Sequence, residues 1–207
     1  MALNLYDRYL MPRLIDACCG LPAIQAHRAR LLPLARGAVL EIGIGTGRNL
    51  PFYDGTRITT LHGLDPAAQM QRTAARRARA AGLTVQLIAL SAQQIPAPDA
   101  HYDTVVCTFT LCSLPDPVAA LHEMRRVLAP GGQLLFCEHG RAPEPSVQRW
   151  QDRLTPWWKP LAGGCHLNRD VRAMLRDGGF APTAIDSGYI AGPRPFAHIT
   201  RGVAVAT

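Results

Sequence analysis

Residues 39 to 47 read Val-Leu-Glu-Ile-Gly-Ile-Gly-Thr-Gly, an apolar run that stops at three glycines spaced two apart. A buried strand that turns at once toward a helix, with its backbone pressed against a ligand, needs residues without side chains and tolerant of left-handed dihedrals. The run therefore marks a strand–turn–helix unit, the opening of an α/β fold. The dinucleotide fingerprint would read Gly-x-Gly-x-x-Gly. Here Gly43, Gly45 and Gly47 read Gly-x-Gly-x-Gly, with Glu41 just before the first.

Eighteen residues past Gly47, Leu61-His62-Gly63-Leu64-Asp65 is a short apolar strand that ends in a carboxylate. An acid at that point is placed to accept both hydroxyls of a ribose, because an ionised carboxylate offers two acceptor oxygens. Asp65 also suits the N-cap of a helix beginning at Pro66, and the two roles are compatible. A third segment, Leu87 to Pro96, reads as a strand and a loop. In these three features the chain resembles the class I S-adenosylmethionine-dependent methyltransferases, whose first motif is Glu-x-Gly-x-Gly-x-Gly. The resemblance implies S-adenosylmethionine as cofactor, held by Glu41, Gly43, Gly45, Gly47, Asp65, Ser91, Ala92 and Thr108. Ser91 stands where that family usually carries aspartate. A hydroxyl still accepts a hydrogen bond from the adenine amino group but loses the charge-assisted part.

Apolar segments alternate as a parallel sheet demands. Strands are expected near 38–42, 60–64, 84–89, 103–109, 133–138, 183–190 and 198–206, with helices over 66–81, 117–128 and 169–177. Residues 3–35 read as mostly helical, broken at Pro12, at Gly20-Leu21-Pro22 and at Pro33. Gly192-Pro193-Arg194-Pro195 parts the last two strands, which suits an antiparallel hairpin at the sheet edge. The expected architecture is a seven-stranded, mostly parallel Rossmann-like α/β sheet with helices on both faces. A single domain is expected, with a helical cap over 1–36 and a cofactor-binding core over 37–207 carrying an insert at about 140–168.

A narrower resemblance lies in Asp103 to Ser113, in Phe136-Cys137-Glu138-His139, in Gly164-Cys165-His166-Leu167-Asn168-Arg169 and in residues 41–53. These look like the methyltransferase-like thiol S-methyltransferases of animal membranes and their soluble bacterial relatives. The resemblance implies methyl transfer to a small thiol or hydrogen sulfide. The thiolate is the nucleophile, and a free thiol titrates near about 8.5. His139, just past the fifth strand, is the candidate base or orienting group, with His166 second; the alternative for each is a hydrogen bond to a loop carbonyl. Tyr6, Tyr9, Cys112 and Trp157 are the candidate acceptor-binding residues. Met11, Trp150 and Trp158 lie in the same segments, expected to close over the donor and exclude water. The animal proteins' N-terminal membrane anchor has no counterpart here, so a soluble acceptor is expected. A phospholipid or quinone methyltransferase is the enzymatic alternative, and a nucleotide-binding interaction module without turnover the alternative of another class.

The net charge of +7 comes from 21 arginines and one lysine, Lys159, a bias that points to a GC-rich bacterial genome more than to a nucleic-acid site. Arg72, Arg76 and Arg79 share a helical face with no interleaved aromatics, so no stacking platform for nucleic acid is expected. Basic and aromatic residues together at 149–159 leave peripheral membrane contact open. No apolar run approaches a membrane span and the start is unlike a signal peptide, so a cytoplasmic protein is expected. Six cysteines include no Cys-x-x-Cys pair, and reduced thiols without a metal are expected, the pairs Cys137/His139 and Cys165/His166 being the thin exception.

Overall fold

Two side-chain sets alternate along the central strands, and each set faces its own core. Leu40, Ile42, Leu134 and Phe136 pack on one face with Leu121, Met124 and Leu175. Val39, Leu135 and Cys137 pack on the other with Leu31, Leu32 and Ala78. That period of two is the mark of a sheet covered on both faces. The computed structural model describes residues 10–207.

Seven strands form one sheet: β1 Gly37–Ile42, β2 Ile58–Leu64, β3 Gln86–Ile88, β4 Tyr102–Thr108, β5 Leu128–His139, β6 Phe180–Tyr189 and β7 His198–Ala206. Their order is β3-β2-β1-β4-β5-β7-β6. The first five are parallel, and β7 runs antiparallel between β5 and β6. The expected sheet, helices on both faces and antiparallel edge are all present. The sequence order reverses between β1 and β4, and the carboxyl ends of those strands open the crevice where ligands of such sheets bind.

The helices are α1 Met11–Cys19, α2 Pro22–Leu31, α3 Gln71–Ala80, α4 Pro117–Val127, α5 Pro145–Leu161, α6 Val171–Asp177 and α7 Arg194–Ala197. Among the boundaries that differ from expectation, three change the reading. Pro12 sits in the first turn of α1 rather than breaking it, a position where the missing N–H costs nothing. The helix expected at Pro66 begins only at Gln71, after a 3-10 turn over Ala68–Met70. The insert at 140–168 is mostly α5, a 17-residue helix with Pro156 and Pro160 inside it.

Both interior prolines of α5 are exposed, so the carbonyls they leave unpaired meet water and the usual penalty is blunted. The helix is fastened by a polar side chain. Buried Gln151 accepts from the Ala142 N–H at 2.9 Å and donates to the carbonyls of Gly140 at 3.1 Å and Pro195 at 3.2 Å. Gln151→Ala would leave three backbone groups unpaired in a dry site, at a cost of about 1–3 kcal/mol. Urea unfolding should show a lower midpoint at an unchanged slope; an unchanged midpoint would mean that water replaces the amide.

Candidate active site

A cavity of about 420 Å³ opens at the carboxyl ends of β1 and β4, within the range of small-ligand sites. Glu41, Gly43, Gly45, Asp65, Ser91, Ala92 and Thr108 all line it, so seven of the eight expected cofactor residues meet in one place. Gly47 is the exception. Its φ is +81°, and a Cβ there would lie 2.5 Å from Leu50 Cδ1 and 3.1 Å from the Ala74 backbone. The third glycine therefore lets α3 close on the loop and does not face the ligand. Gly43, with φ +69°, leaves room for Thr110, whose Oγ1 would sit 2.2 Å from an added Cβ.

Asp65 holds the glycine turn from below. Its Oδ2 accepts the Gly45 N–H at 2.9 Å and its Oδ1 the Ala67 N–H at 2.8 Å. Burial pushes the carboxyl up, and the two amide bonds oppose that shift. Ser91 is exposed, and its Oγ accepts from the Gln93 N–H at 3.3 Å.

Glu41 reaches the wall, yet both its oxygens are taken. Asn49 Nδ2 donates to Oε1 at 3.0 Å and the Tyr53 hydroxyl to Oε2 at 2.7 Å. Burial carries its carboxyl up to about 7, against the hydrogen bonds of Tyr53 and Asn49 and the charge of Arg28. Asn49 also donates to Thr108 Oγ1 at 3.0 Å and accepts from Arg28 Nε at 2.9 Å. Arg28 donates again to the Cys19 carbonyl at 2.7 Å, and its guanidinium lies 5.1 Å from the centre of the Phe109 ring. Phe109 has φ +54°, a conformation that costs a non-glycine residue of order 1–3 kcal/mol and clusters at functional sites.

Glu138, fully buried at the end of β5, clamps the loop after β4. Oε1 accepts the N–H groups of Thr110 at 2.9 Å and Leu111 at 3.1 Å, and Oε2 accepts that of Cys112 at 3.3 Å. Burial pushes it up to about 7 while the three amides pull down. Asp16 of α1 bonds Thr46, Arg48 and Arg77, the last at 2.9 Å, and so ties the cap to the glycine turn. Burial would raise the Asp16 carboxyl, but the bonds from Arg77, Arg48 and Thr46 hold it well below the usual carboxylate range.

The expected catalytic and acceptor residues are placed differently. His139 is buried outside the cavity wall, with Nδ1 3.9 Å from Cys165 Sγ and Nε2 without a hydrogen-bond partner among the described residues. His166 also stands off the wall, with Nδ1 3.2 Å from the Cys112 carbonyl. A direct base role has no geometry here, because neither ring reaches the cavity; His166 keeps the loop-carbonyl role. Cys112 is buried behind the loop whose Thr110, Ser113 and Leu114 do line the cavity. Trp157 is 77% exposed. It follows Thr155, on the buried face of α5, by two residues and so points away; the inward ring is Trp158, packed on Phe196 at 4.8 Å. Tyr6 and Tyr9 lie outside the described residues. Arg72, Arg76 and Arg79 are exposed along α3, a solvated face. Arg28, Asn49 and Asp16 were missed as site residues; Glu138 is legible only as the end of the fifth strand.

Asp65→Ala should weaken S-adenosylhomocysteine binding at least tenfold, about 1.4 kcal/mol, with an unchanged far-ultraviolet dichroism spectrum. Calorimetry showing equal affinity would remove Asp65 from the site. Glu138 binds a proton more tightly folded than unfolded, so its contribution to stability is full below pH about 4.5 and falls as pH rises toward 7. Glu138→Gln keeps two of the three amide bonds and cannot ionise. The variant's melting temperature should therefore fall less than that of the parent between pH 5 and 7.5, and parallel curves would contradict the assignment.

The cavity fits S-adenosylmethionine. A Cβ on Gly45 would meet nothing nearer than Met70 Sδ at 3.6 Å, so an open cradle faces the Asp65 carboxylate, with apolar Leu90 and Ala92 beyond. A family model described as a methyltransferase domain matches residues 40–136. The thiol S-methyltransferase TMT1B of Rattus norvegicus is 34% identical over 154 residues, 72% of this chain and 62% of that protein. The chain thus spans less than two thirds of that relative's length. The phosphatidylethanolamine N-methyltransferase of Cereibacter sphaeroides is 34% identical over 105 residues, 50% of this chain and 51% of that enzyme. The solved structure of the N-methyltransferase NodS from Bradyrhizobium japonicum, in complex with S-adenosyl-l-homocysteine, shares the fold. It has a TM-score of 0.69 at 15% identity, covering 95% of this chain and 98% of that one. Strand order, glycine cradle and these likenesses converge on a class I S-adenosylmethionine-dependent methyltransferase.

Proposed function

We propose that this enzyme moves the methyl group of S-adenosylmethionine to a small thiol or to hydrogen sulfide. The observation that carries the reading is the charge balance at the far end of the cavity. Pro12, Ile15 and Cys19 line it from α1, and Phe109, Ser113 and Leu114 from the loop after β4. Every carboxylate of the lining is already bonded: Asp16 to arginines, Glu41 to Asn49 and Tyr53, Asp65 to two amides. Arg28 is 3% exposed, and among the described residues its hydrogen bonds run to neutral oxygens. A buried cation with neutral partners lowers the pKa of a nearby thiol and repels an ammonium.

Bound there, the cofactor supplies an electrophilic methyl on a positively charged sulfur. The chain supplies position. Glu138 holds the acceptor wall rigid, Asp16 keeps α1 over the cavity, and the apolar lining excludes water. Alignment of this kind contributes on the order of 7–11 kcal/mol to a bimolecular transfer. The 34% identity to a thiol S-methyltransferase supports the same acceptor. A cytoplasmic site of action is part of the proposal; all six cysteines are thiols, as a reducing compartment would keep them.

The second reading is methylation of a phospholipid amine. It is favoured by the likeness to the phosphatidylethanolamine enzyme and by the outer face of α5, where Trp150 is 56% exposed under Arg153 at 5.9 Å. Release of S-adenosylhomocysteine separates the two. It should follow hydrogen sulfide and small alkyl thiols and stay at background with phosphatidylethanolamine vesicles or a quinol. In the thiol reaction Arg28→Met should move the rise of rate with pH upward by about one unit. Turnover with vesicles alone, weakening with salt, would establish the lipid reading instead.

A further inference from the structure

Neither Cys112 nor Cys165 lines the cavity, and nothing in the transfer uses them. The two segments that carry them are nonetheless locked together. The His166 N–H donates to the Cys112 carbonyl at 2.9 Å, and a Cβ on Gly164 would lie 3.1 Å from the Ser113 carbonyl. That seam brings the Cys112 and Cys165 side chains near enough for each thiol to perturb the other. Around Cys165 stand the His139 Nδ1, 3.9 Å from the sulfur, and the Trp158 indole nitrogen, buried and without another partner. Cys112 is 3% exposed, whereas Cys165 is half-buried and open to a small oxidant.

We propose that Cys112 and Cys165 form a peroxide-responsive dithiol behind the acceptor wall, with Cys165 as the attacking thiolate and Cys112 as the resolving thiol. Cys112 beside it holds the Cys165 thiol below the usual thiol range, against the effect of burial and with help from His139 and Trp158. The same contact, with burial, pushes Cys112 well up. Such a split assigns the two roles, since reactivity follows thiolate character and access.

In the first step the Cys165 sulfur attacks one oxygen of hydrogen peroxide. The O–O bond breaks, sulfur is oxidised by two electrons to the sulfenic acid, and hydroxide leaves to take up a proton. In the second step the Cys112 sulfur attacks the Cys165 sulfur, the S–S bond forms, and the S–O bond breaks with loss of water. The sum is two thiols and one peroxide giving one disulfide and two waters. Closing the two neighbouring thiols to a bond of about 2.05 Å draws on Ser113, which lines the acceptor end.

The test is mass spectrometry of the whole protein after stoichiometric peroxide, with alkylation under denaturing conditions. The expected product has lost two hydrogen atoms, carries a Cys112–Cys165 cross-link in its peptides, and returns to the starting mass with dithiothreitol. In Cys112→Ser a sulfenic acid should accumulate on Cys165 and be trapped by dimedone; in Cys165→Ser both products should vanish. Iodoacetamide at pH 6 should label Cys165 at least tenfold faster than exposed Cys18, and His139→Ala should narrow that ratio. A cross-link between any other pair, or a Cys165 that reacts no faster than Cys18, would overturn the proposal.

Discussion

Everything at the carboxyl ends of β1 and β4 hangs on one buried chain of hydrogen bonds, Arg28 to Asn49 to Glu41, with Thr108 and Tyr53 as side branches. It joins the cap, the first and fourth strands and the turn that follows the glycines. Buried polar groups are tolerated when each finds a partner, and here each does. Because the chain is shared among four elements, its members act as a unit. Glu138 repeats the device on the other side of β4, where one carboxylate collects three successive amides. Both buried acids of the site thus hold loops rather than reactants. Burial of Glu41 and Glu138 costs stability as each ionises, and that cost is spent on fixing the walls of the cavity.

The cap is attached in another way. No residue of α1 is buried. Asp16 meets Arg48 and Arg77 with all three side chains about a quarter exposed, where ion pairs contribute little singly and more as a network. Below α1, Ile15 and Met11 close on Gly163, just past α5. A helix held by half-exposed charges and one apolar edge opens locally at a small cost, while the buried chain beneath it stays intact. Rigid walls and a lightly held cover are what a site needs when a large cofactor must enter and water must then stay out.

Much of this was legible in the sequence because the signals are local. The glycine triplet, the acid ending the second strand and the period of two in the central strands each occupy a few adjacent residues. What escaped reading lies far apart or runs against periodicity. Arg28 and Asn49 are 21 residues distant and polar, so neither suggests a buried contact before the fold brings them together. The insert hid α5 because its buried face, Val147, Gln151 and Thr155, is mostly polar, and because Pro156 and Pro160 argue against any helix. Once that face is known, the tryptophans sort themselves: Trp158 turns in beside Cys165, and Trp157 turns out. His139 was legible as a strand-end residue but not the side its ring takes. That side depends on Cys165, 26 residues later.

The mostly apolar lining has a consequence for the proposed transfer that follows from charge alone. A sulfonium and a thiolate, or hydrosulfide, react to give two neutral products, so charge vanishes along the path and an apolar surround opposes the reactants more than the transition state. A neutral amine acceptor would take over the sulfonium's positive charge, so the charge persists to product and nothing of this kind is gained. Arg28 then works in two directions. Its charge favours the thiolate that must be present, but a cation in contact with that thiolate would stabilise the reactant and slow the step. Asn49 and the Cys19 carbonyl hold the guanidinium in place, with the Phe109 ring beneath it. The left-handed backbone of Phe109 is the local strain that keeps the ring in that place.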